Sequence, residues 1–342
     1  MTDFRGLTWY VCKRALYSVA VLFGVITITF LISHLIVPNP ARAWAGERAT
    51  AATVEAITIR FHLNQPIYVQ FYYYISDLFQ GNWGVSPSSG QPVLSSILRY
   101  LPATIELTSA ALIIILVVGI PLGIIAATNR NKVQDHLARV LSLIGVSTPS
   151  FVIGLLIQLI FFFYLGIFPD SGGRISSFVK PPPTITGLLT IDSLVTGNIP
   201  AFLSALDHLI MPAVALAFLN LGITSRLVRN SMLESLGSDY IRMARAKGLR
   251  KRVVIYKHAL KNAMIQPITA LSVNIAQLLG GAVIIESIFA WPGVGRYAAQ
   301  AAESFSLPDI MAITIFFTIG VIIANFVADF LTAALDPRVK LR

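Results

Sequence analysis

Six stretches of this sequence stay apolar for about 20 residues each, and that property constrains the fold more than any other. They run roughly Leu16–Val37, Thr104–Thr128, Leu141–Ile167, Leu209–Leu227, Ile268–Phe289 and Ile310–Ala333. At 1.5 Å rise per residue, a helix of about 20 residues crosses a hydrocarbon core about 30 Å thick. Only 12% of the 342 residues are charged, where a soluble domain carries about a quarter. The expected fold is an all-α integral membrane protein with six transmembrane helices.

Six spans put both termini on one side, and the basic residues say which. Lysine and arginine are retained on the cytoplasmic face. Nineteen of the 26 fall in the N-terminus (Arg5, Lys13, Arg14), the turn after span two (Arg130, Lys132, Arg139), the loop after span four and the tail (Arg338, Lys340, Arg342). Both termini are therefore predicted to be cytoplasmic. The net charge of +10 follows from this topology and points to no nucleic-acid partner. The first span is long and runs into Pro38, unlike a cleaved signal, so it reads as a retained anchor. Cys12 is the only cysteine, which excludes an intrachain disulfide and a cysteine metal cage.

Outside the spans, two segments stand out. From about Asn39 to Tyr100 the chain is too rich in Tyr, Trp and apolar residues to be a linker. Val54–Phe61 has helical spacing, and Ile67–Ile75 reads as an interfacial helix carrying an aromatic belt. Gly81-Asn82-Trp83-Gly84 and Ser86–Gly90 read as turns. A second segment, about Pro169 to Asp207, contains Pro181-Pro182-Pro183 and reads as a loosely held surface loop.

Catalytic signatures are missing. There is no Gly-x-x-x-x-Gly-Lys-[Ser/Thr] run, no paired-histidine metal motif among the five histidines and no Gly-x-Ser-x-Gly elbow. The chain is not expected to hydrolyse ATP, bind a metal or act as an enzyme. Glu106, Asp207 and Glu286 lie near outer span ends and Asp329 near an inner one, so nothing marks the mid-bilayer ion coupling of a secondary carrier. An ATP-independent channel or carrier is still the rival class, distinguished by whether an ATPase copurifies.

The loop after span four is the most distinctive segment. In Asp239–Leu249, Tyr240, Met243 and Ala244 share a helical face, Arg242 and Arg245 point elsewhere, and Gly248 breaks the helix before a second amphipathic turn near Lys251. An exposed apolar face on a cytoplasmic helix needs a cover. A partner protein and the membrane surface suit the residues equally well, because Arg250, Lys251, Arg252 and Lys257 would also face anionic lipid.

The Tyr-Ile-Arg-x-Ala-Arg-Ala-Lys-Gly run resembles the loop by which permease subunits of ATP-binding cassette (ABC) importers engage their ATPase, in the form usual in the dipeptide/oligopeptide (peptide/nickel) branch. Further matches follow in family order: Leu22-Phe23-Gly24-Val25 through Pro38; Leu63–Phe71 with Gly81–Gly84; Leu101–Leu107 with Gly119–Gly123; Pro149-Ser150-Phe151; Glu286–Arg296; and Asn325–Arg338, ending Leu335-Asp336-Pro337-Arg338. Met243 stands where that branch commonly has threonine, and Pro267 falls one residue late.

The resemblance implies a type I ABC importer permease fold in the cell membrane. It implies four partners besides the lipid bilayer: a second homologous permease, two ATP-binding subunits and an extracellular substrate-binding protein. The chain itself would hold no cofactor, with ATP and Mg on the ATPases. Tyr240, Arg242, Ala244, Ala246, Gly248 and Leu249 would couple to the ATPase, and Glu286, Trp291, Pro292, Gly293 and Gly295 would form an outer gate or turn. The domain plan is a cytoplasmic N-terminus (1–15), a first span with folded outer segment (16–103), a permease core (104–334) with its coupling loop at about 226–264, and a cytoplasmic tail (335–342). Peptides are the default substrate, with oligosaccharides or nickel as alternatives.

Overall fold

A computed structural model describes residues 4–36, 40–45 and 49–335. Among them every regular element is helical, apart from one isolated bridge between Val85 and Pro92. In chain order the helices are α1 (Phe4–Leu31), α2 (Pro40–Ala45), α3 (Ala51–Arg60), α4 (Ile67–Phe79), α5 (Val93–Ile114), α6 (Ile120–Thr128), α7 (Val133–Ser147), α8 (Ser150–Ile157), α9 (Leu189–Val195), α10 (Ile199–Gly237), α11 (Asp239–Ala246), α12 (Lys251–Val253), α13 (Leu260–Ala263), α14 (Ile265–Ile288), α15 (Val294–Glu303) and α16 (Leu307–Leu335). Wider π-type turns extend α1 (Ile32–Ile36) and α8 (Gln158–Tyr164), and they join α5 to α6 (Ile115–Gly119) and α12 to α13 (Val254–Ala259). Pro38 and the tail beyond Leu335 lie outside the described residues.

Four stretches are long and apolar enough to cross a membrane: Lys13–His34, Val93–Thr128, Ile199–Gly237 and Leu307–Phe330. A fifth appears if the bent pair Val133–Ser147 and Ser150–Tyr164 is one span. The expected continuous third span is therefore a correction: the chain turns through 108° there. Thr148 is extended (φ −102°, ψ 124°) because it precedes Pro149, which itself offers no amide hydrogen to continue a helix. Span two starts earlier than expected, at Val93, with Pro102 accommodated inside it. Span four is 39 residues long, about 58 Å at helical rise, well beyond the hydrocarbon thickness. Asn198 caps its start by accepting from the Ala201 amide (3.2 Å), and Pro200 occupies the first turn.

The chain forms two compact units. One comprises residues 4–104 and 292–322. In it the aromatic segment divides by helical face: Phe71 and Tyr74 pack with Phe30, Trp44, Phe61 and Met311, while Tyr68 and Tyr72 stay exposed. Asp309, fully buried in the first turn of α16, accepts hydrogen bonds from Ser86 (2.7 Å), Ser306 (2.5 Å) and Tyr297 (2.5 Å). This pins the 81–90 turn to α16. Burial and then the Asp309 carboxylate push the Tyr297 phenol well above its ordinary value.

The other unit comprises residues 105–291 and 323–335, built around α10. Two glycine approaches set its packing. A Cβ on Gly123 of α6 would lie 2.6 Å from Val228 Cβ and 2.7 Å from the Ser225 carbonyl, and one on Gly222 would lie 2.8 Å from the Ser142 carbonyl on α7. Only residues without side chains let the backbones come this close.

The segment from Pro169 is also a correction. It is held by two buried carboxylates and contains α9. Asp192, 2% exposed, accepts from the amides of Ile185 (3.1 Å), Thr186 (2.8 Å) and Gly187 (3.0 Å) and from the Thr186 hydroxyl (2.7 Å). Glu106 accepts from the Thr190 amide and hydroxyl, both at 2.7 Å, and from Arg174, which also donates to the Gly187 carbonyl (3.0 Å). Charged acceptors of this kind fix a loop that composition marks as loose.

Burial pushes the Asp192 carboxyl up, but the donors from Thr186, Ile185 and Gly187 together outweigh it and hold the group below the ordinary carboxylate range. A depressed folded value gives stability that is complete above the ordinary value, about 3.9, and that fades as pH falls below it. Hydrogen exchange of residues 185–197 should show full protection at pH 7 that collapses below about pH 4. Asp192→Asn should show weak protection that is flat across this range. Wild-type protection independent of acid would remove Asp192 as the fastener.

Candidate functional site

The loop after α10 folds into a helical hairpin around one extended residue. Ser238 (φ −75°, ψ 157°) ends α10 and starts α11, and its hydroxyl donates to the Ser235 carbonyl at 2.5 Å. Helix α11 is anchored by Ile241 (0% exposed) and Ala244 (7%), which pack with Ile124, Val228, Met232, Val254 and Ala259. Burying an isoleucine of this kind contributes about 1.5–3 kcal/mol. The buried face is thus Ile241 with Ala244, whereas Tyr240 and Met243 are exposed at 41% and 61%. The expected grouping of Tyr240, Met243 and Ala244 is corrected accordingly: an i, i+3 pair one position along the wheel meets the protein.

Tyr240 is exposed yet held. Its hydroxyl lies 2.6 Å from Ser235 Oγ, which donates to the Ala259 carbonyl at 3.0 Å. Partial burial pushes the phenol up, but hydrogen bonds with Ser235, Asn262 and Ser238 outweigh that and lower it. Helix α11 then ends in a left-handed turn. Gly248 has φ +74°, its amide donates to the Arg245 carbonyl (2.9 Å), and the Leu249 amide reaches the Ala244 carbonyl (3.4 Å). This double closure favours glycine for its backbone, not for space, since an added Cβ would meet nothing within 4 Å. Arg242, Ala246, Gly248 and Leu249 are all exposed.

At the other end of α14, about 36 Å away along a 24-residue helix, lies the second predicted set. Glu286 (0%) and Trp291 (1%) are buried, and the Arg174 guanidinium sits over the Trp291 ring at 5.9 Å. The turn closes with the Trp291 amide on the Glu286 carbonyl (2.8 Å) and places Ala290 at φ +48°. Pro292, Gly293 and Gly295 begin the other unit, where Gly293 precedes α15 and the Val294 amide donates to Thr104 Oγ1 at 2.9 Å. The structure thus keeps the first predicted set on one hairpin and divides the second between the two units.

Sequence reading missed the ties Glu106–Arg174–Thr190 and Asp135–Arg229. The available signal was a charged residue beside an apolar run, which marks a need for a partner without naming it. Among the described residues no group of three or more His, Cys, Asp or Glu could hold a metal ion.

Apolar membrane-length helices, with an exposed, anchored hairpin between two of them, define a multi-pass membrane component. Comparison with known proteins specifies the class. Residues 119–341 match the family described as binding-protein-dependent transport system inner membrane component, and residues 7–108 match its N-terminal counterpart. The chain belongs to this family and is a multi-pass inner membrane permease of the ABC importer type. It is 44% identical over 97% of both chains to the probable D,D-dipeptide transport system permease protein DdpB of Escherichia coli (strain K12). It is 40% identical, over 97% of this chain and 99% of the relative, to the dipeptide transport system permease protein DppB of Alkalihalophilus pseudofirmus. Against the glutathione transport system permease protein GsiC of Escherichia coli (strain K12) the identity is 33%, with coverage of 97% and 99%.

Proposed function

We propose that the chain forms half of the translocation pathway of an ATP-driven importer of short peptides. The observation that carries this reading is end-to-end similarity to permeases named for dipeptides, at up to 44% identity over 97% of the chain. These names favour peptides over the oligosaccharide and nickel alternatives. In this reading α14 supplies the fifth span and the bent α7–α8 pair the third, so six spans leave both termini cytoplasmic in the type I arrangement. The partners are a second homologous permease, two ATP-binding subunits that hold ATP and Mg, and an extracellular substrate-binding protein. The hairpin at about 226–264 is the coupling loop of the 104–334 core.

Tyr240, Arg242, Ala246 and Leu249 are exposed and supply the ATPase contact. Ala244 holds α11 from beneath, and Gly248 sets the angle to α12. Closing the ATPases around ATP draws the hairpins of the two permeases together and switches the spans between outward and inward access. Glu286, Trp291, Pro292, Gly293 and Gly295 shape the outer turn near the binding protein.

A mild-detergent pulldown of the tagged chain tests the assembly, and recovery of ATPase activity with a second permease is expected. Gly248→Val forces a β-branched residue into the left-handed region, costing about 1–2 kcal/mol locally. It should insert normally, lower peptide uptake at least about tenfold and leave ATP hydrolysis unresponsive to the binding protein. Gly248→Asn, which tolerates this backbone, should retain most uptake. Normal transport by Gly248→Val would remove the hairpin from the coupling role.

A further inference from the structure

Helices α10 and α14 run antiparallel within one unit, and two contacts fix their register. The Ser231 hydroxyl donates to Gln266 Oε1 at 3.2 Å, and a Cβ on Gly281 would lie 3.3 Å from Leu216 Cδ1. Fifteen residues separate the two contacts on either helix, so the helices stay in step between them. One turn inside the Leu216–Gly281 contact, Asn220 of α10 therefore comes level with Gln277 of α14, and Asn274 follows one turn on along the same face. Asn220 and Gln277 stand within two residues of the middles of Leu209–Leu227 and Ile268–Phe289, the apolar runs read as spans four and five.

These amides lack partners. Asn220 is 5% exposed, and its Oδ1 is buried without a hydrogen bond. Asn274 is half-buried and Gln277 exposed, and neither side chain makes a hydrogen bond among the described residues. Thr224, one turn beyond Asn220 and 2% exposed, also leaves its hydroxyl unpaired, whereas Thr269, Thr314 and Thr318 each donate to the carbonyl four residues back. An unpaired polar group at this depth is destabilising, and such groups mark what passes through a membrane protein. No charged residue lies between Leu209 and Ser225 or between Ile268 and Ile285. Recognition here is by neutral hydrogen bonds, and a carboxamide offers a donor and an acceptor side by side, the complement of a peptide bond.

Resting on the importer reading, we propose that Asn220, Asn274 and Gln277 form a mid-membrane site on the translocation path that hydrogen-bonds the backbone of the passing peptide. Gln277 stands at its accessible edge and Asn220 at its buried one. The site reads the peptide bond and leaves the side chains of the peptide unread.

The test uses the assembled importer in liposomes, with ATP enclosed and the binding protein outside. Uptake of alanyl-alanine is compared with that of alanyl-lactate, in which an ester oxygen replaces the amide N–H. Wild type should prefer the dipeptide, and Gln277→Leu or Asn274→Leu should cut that preference about fivefold, as the loss of one neutral hydrogen bond implies. The same binding protein serves every variant, so the change belongs to the permease. Asn220→Leu removes an amide without a partner, so thermal unfolding in detergent should stay unchanged or rise while the preference falls. Earlier unfolding of Asn220→Leu at unchanged preference would make this amide structural and remove it from the site. A preference that survives all three substitutions, in an importer that takes up alanyl-alanine with ATP, would overturn the site alone. Wild type that takes up neither compound would overturn the importer reading beneath it.

Discussion

Gly123→Val is expected to prevent accumulation of the folded chain. The first carbon of any side chain at this position would sit 2.6 Å from Val228 Cβ and 2.7 Å from the Ser225 carbonyl. The carbonyl is backbone of the 39-residue α10, so no rotamer change relieves the clash. Overpacking of a close-packed interior costs about 1–3 kcal/mol and sometimes more. Gly123→Ala should sit within that range and Gly123→Val above it. The measurement is thermal unfolding of the detergent-extracted protein, with the folded yield from membranes. Gly24 of α1 is the control, because an added Cβ there meets nothing within 4 Å. Gly24→Ala should be neutral or slightly stabilising through helix propensity. If Gly123→Ala unfolds together with wild type, α6 does not pack on α10 at this distance.

Asp135→Ala should destabilise the protein by about 3 kcal/mol, the lower end for a broken buried ion pair, since Arg229 retains 15% exposure. Asp135 is fully buried, and its partners Arg229 and the Asn131 amide (2.9 Å) lose their acceptor together. Burying an unpaired guanidinium accounts for most of the effect, so Asp135→Ala with Arg229→Met should recover much of the loss. Unfolding midpoints of the two single variants and the double variant give the coupling. A double variant as unstable as the sum of its parts would mean that the two residues act independently.

The segment from Pro169 illustrates how composition can mislead. Pro181-Pro182-Pro183 and the surrounding Gly, Ser and Thr satisfy every cue for a loose loop. The order comes instead from Asp192 and Glu106, one inside the segment and one 86 residues earlier in the chain. A carboxylate that collects several donors orders a loop regardless of its composition, and no local pattern in the sequence announces which donors it will collect. The same holds for Asp309, whose partners Ser86, Tyr297 and Ser306 come from both sides of the first unit's sequence gap.

The hairpin after α10 shows the intermediate case. Its helix, its break at Gly248 and its basic flank are local properties, so propensity and charge expose them directly. Which face of α11 is covered depends on the packing of Ile241 and Ala244 beneath it, where the wheel alone pointed to the neighbouring face of Tyr240, Met243 and Ala244.

What the sequence determined by itself is the membrane class, the helical architecture, the approximate spans and the family resemblance carried by the 239–249 and 286–296 runs. Each of these rests on hydropathy, on local backbone preference or on motif order, all of which are written along the chain. Tertiary structure decided the 108° break at Thr148–Pro149, the glycine-thin approaches of α6 and α7 to α10, and the pairing of Asp135, Glu106, Asp192 and Asp309. Those depend on groups far apart in sequence meeting in a low-dielectric interior, where a buried charge or a missing Cβ acquires its meaning only from what lies opposite.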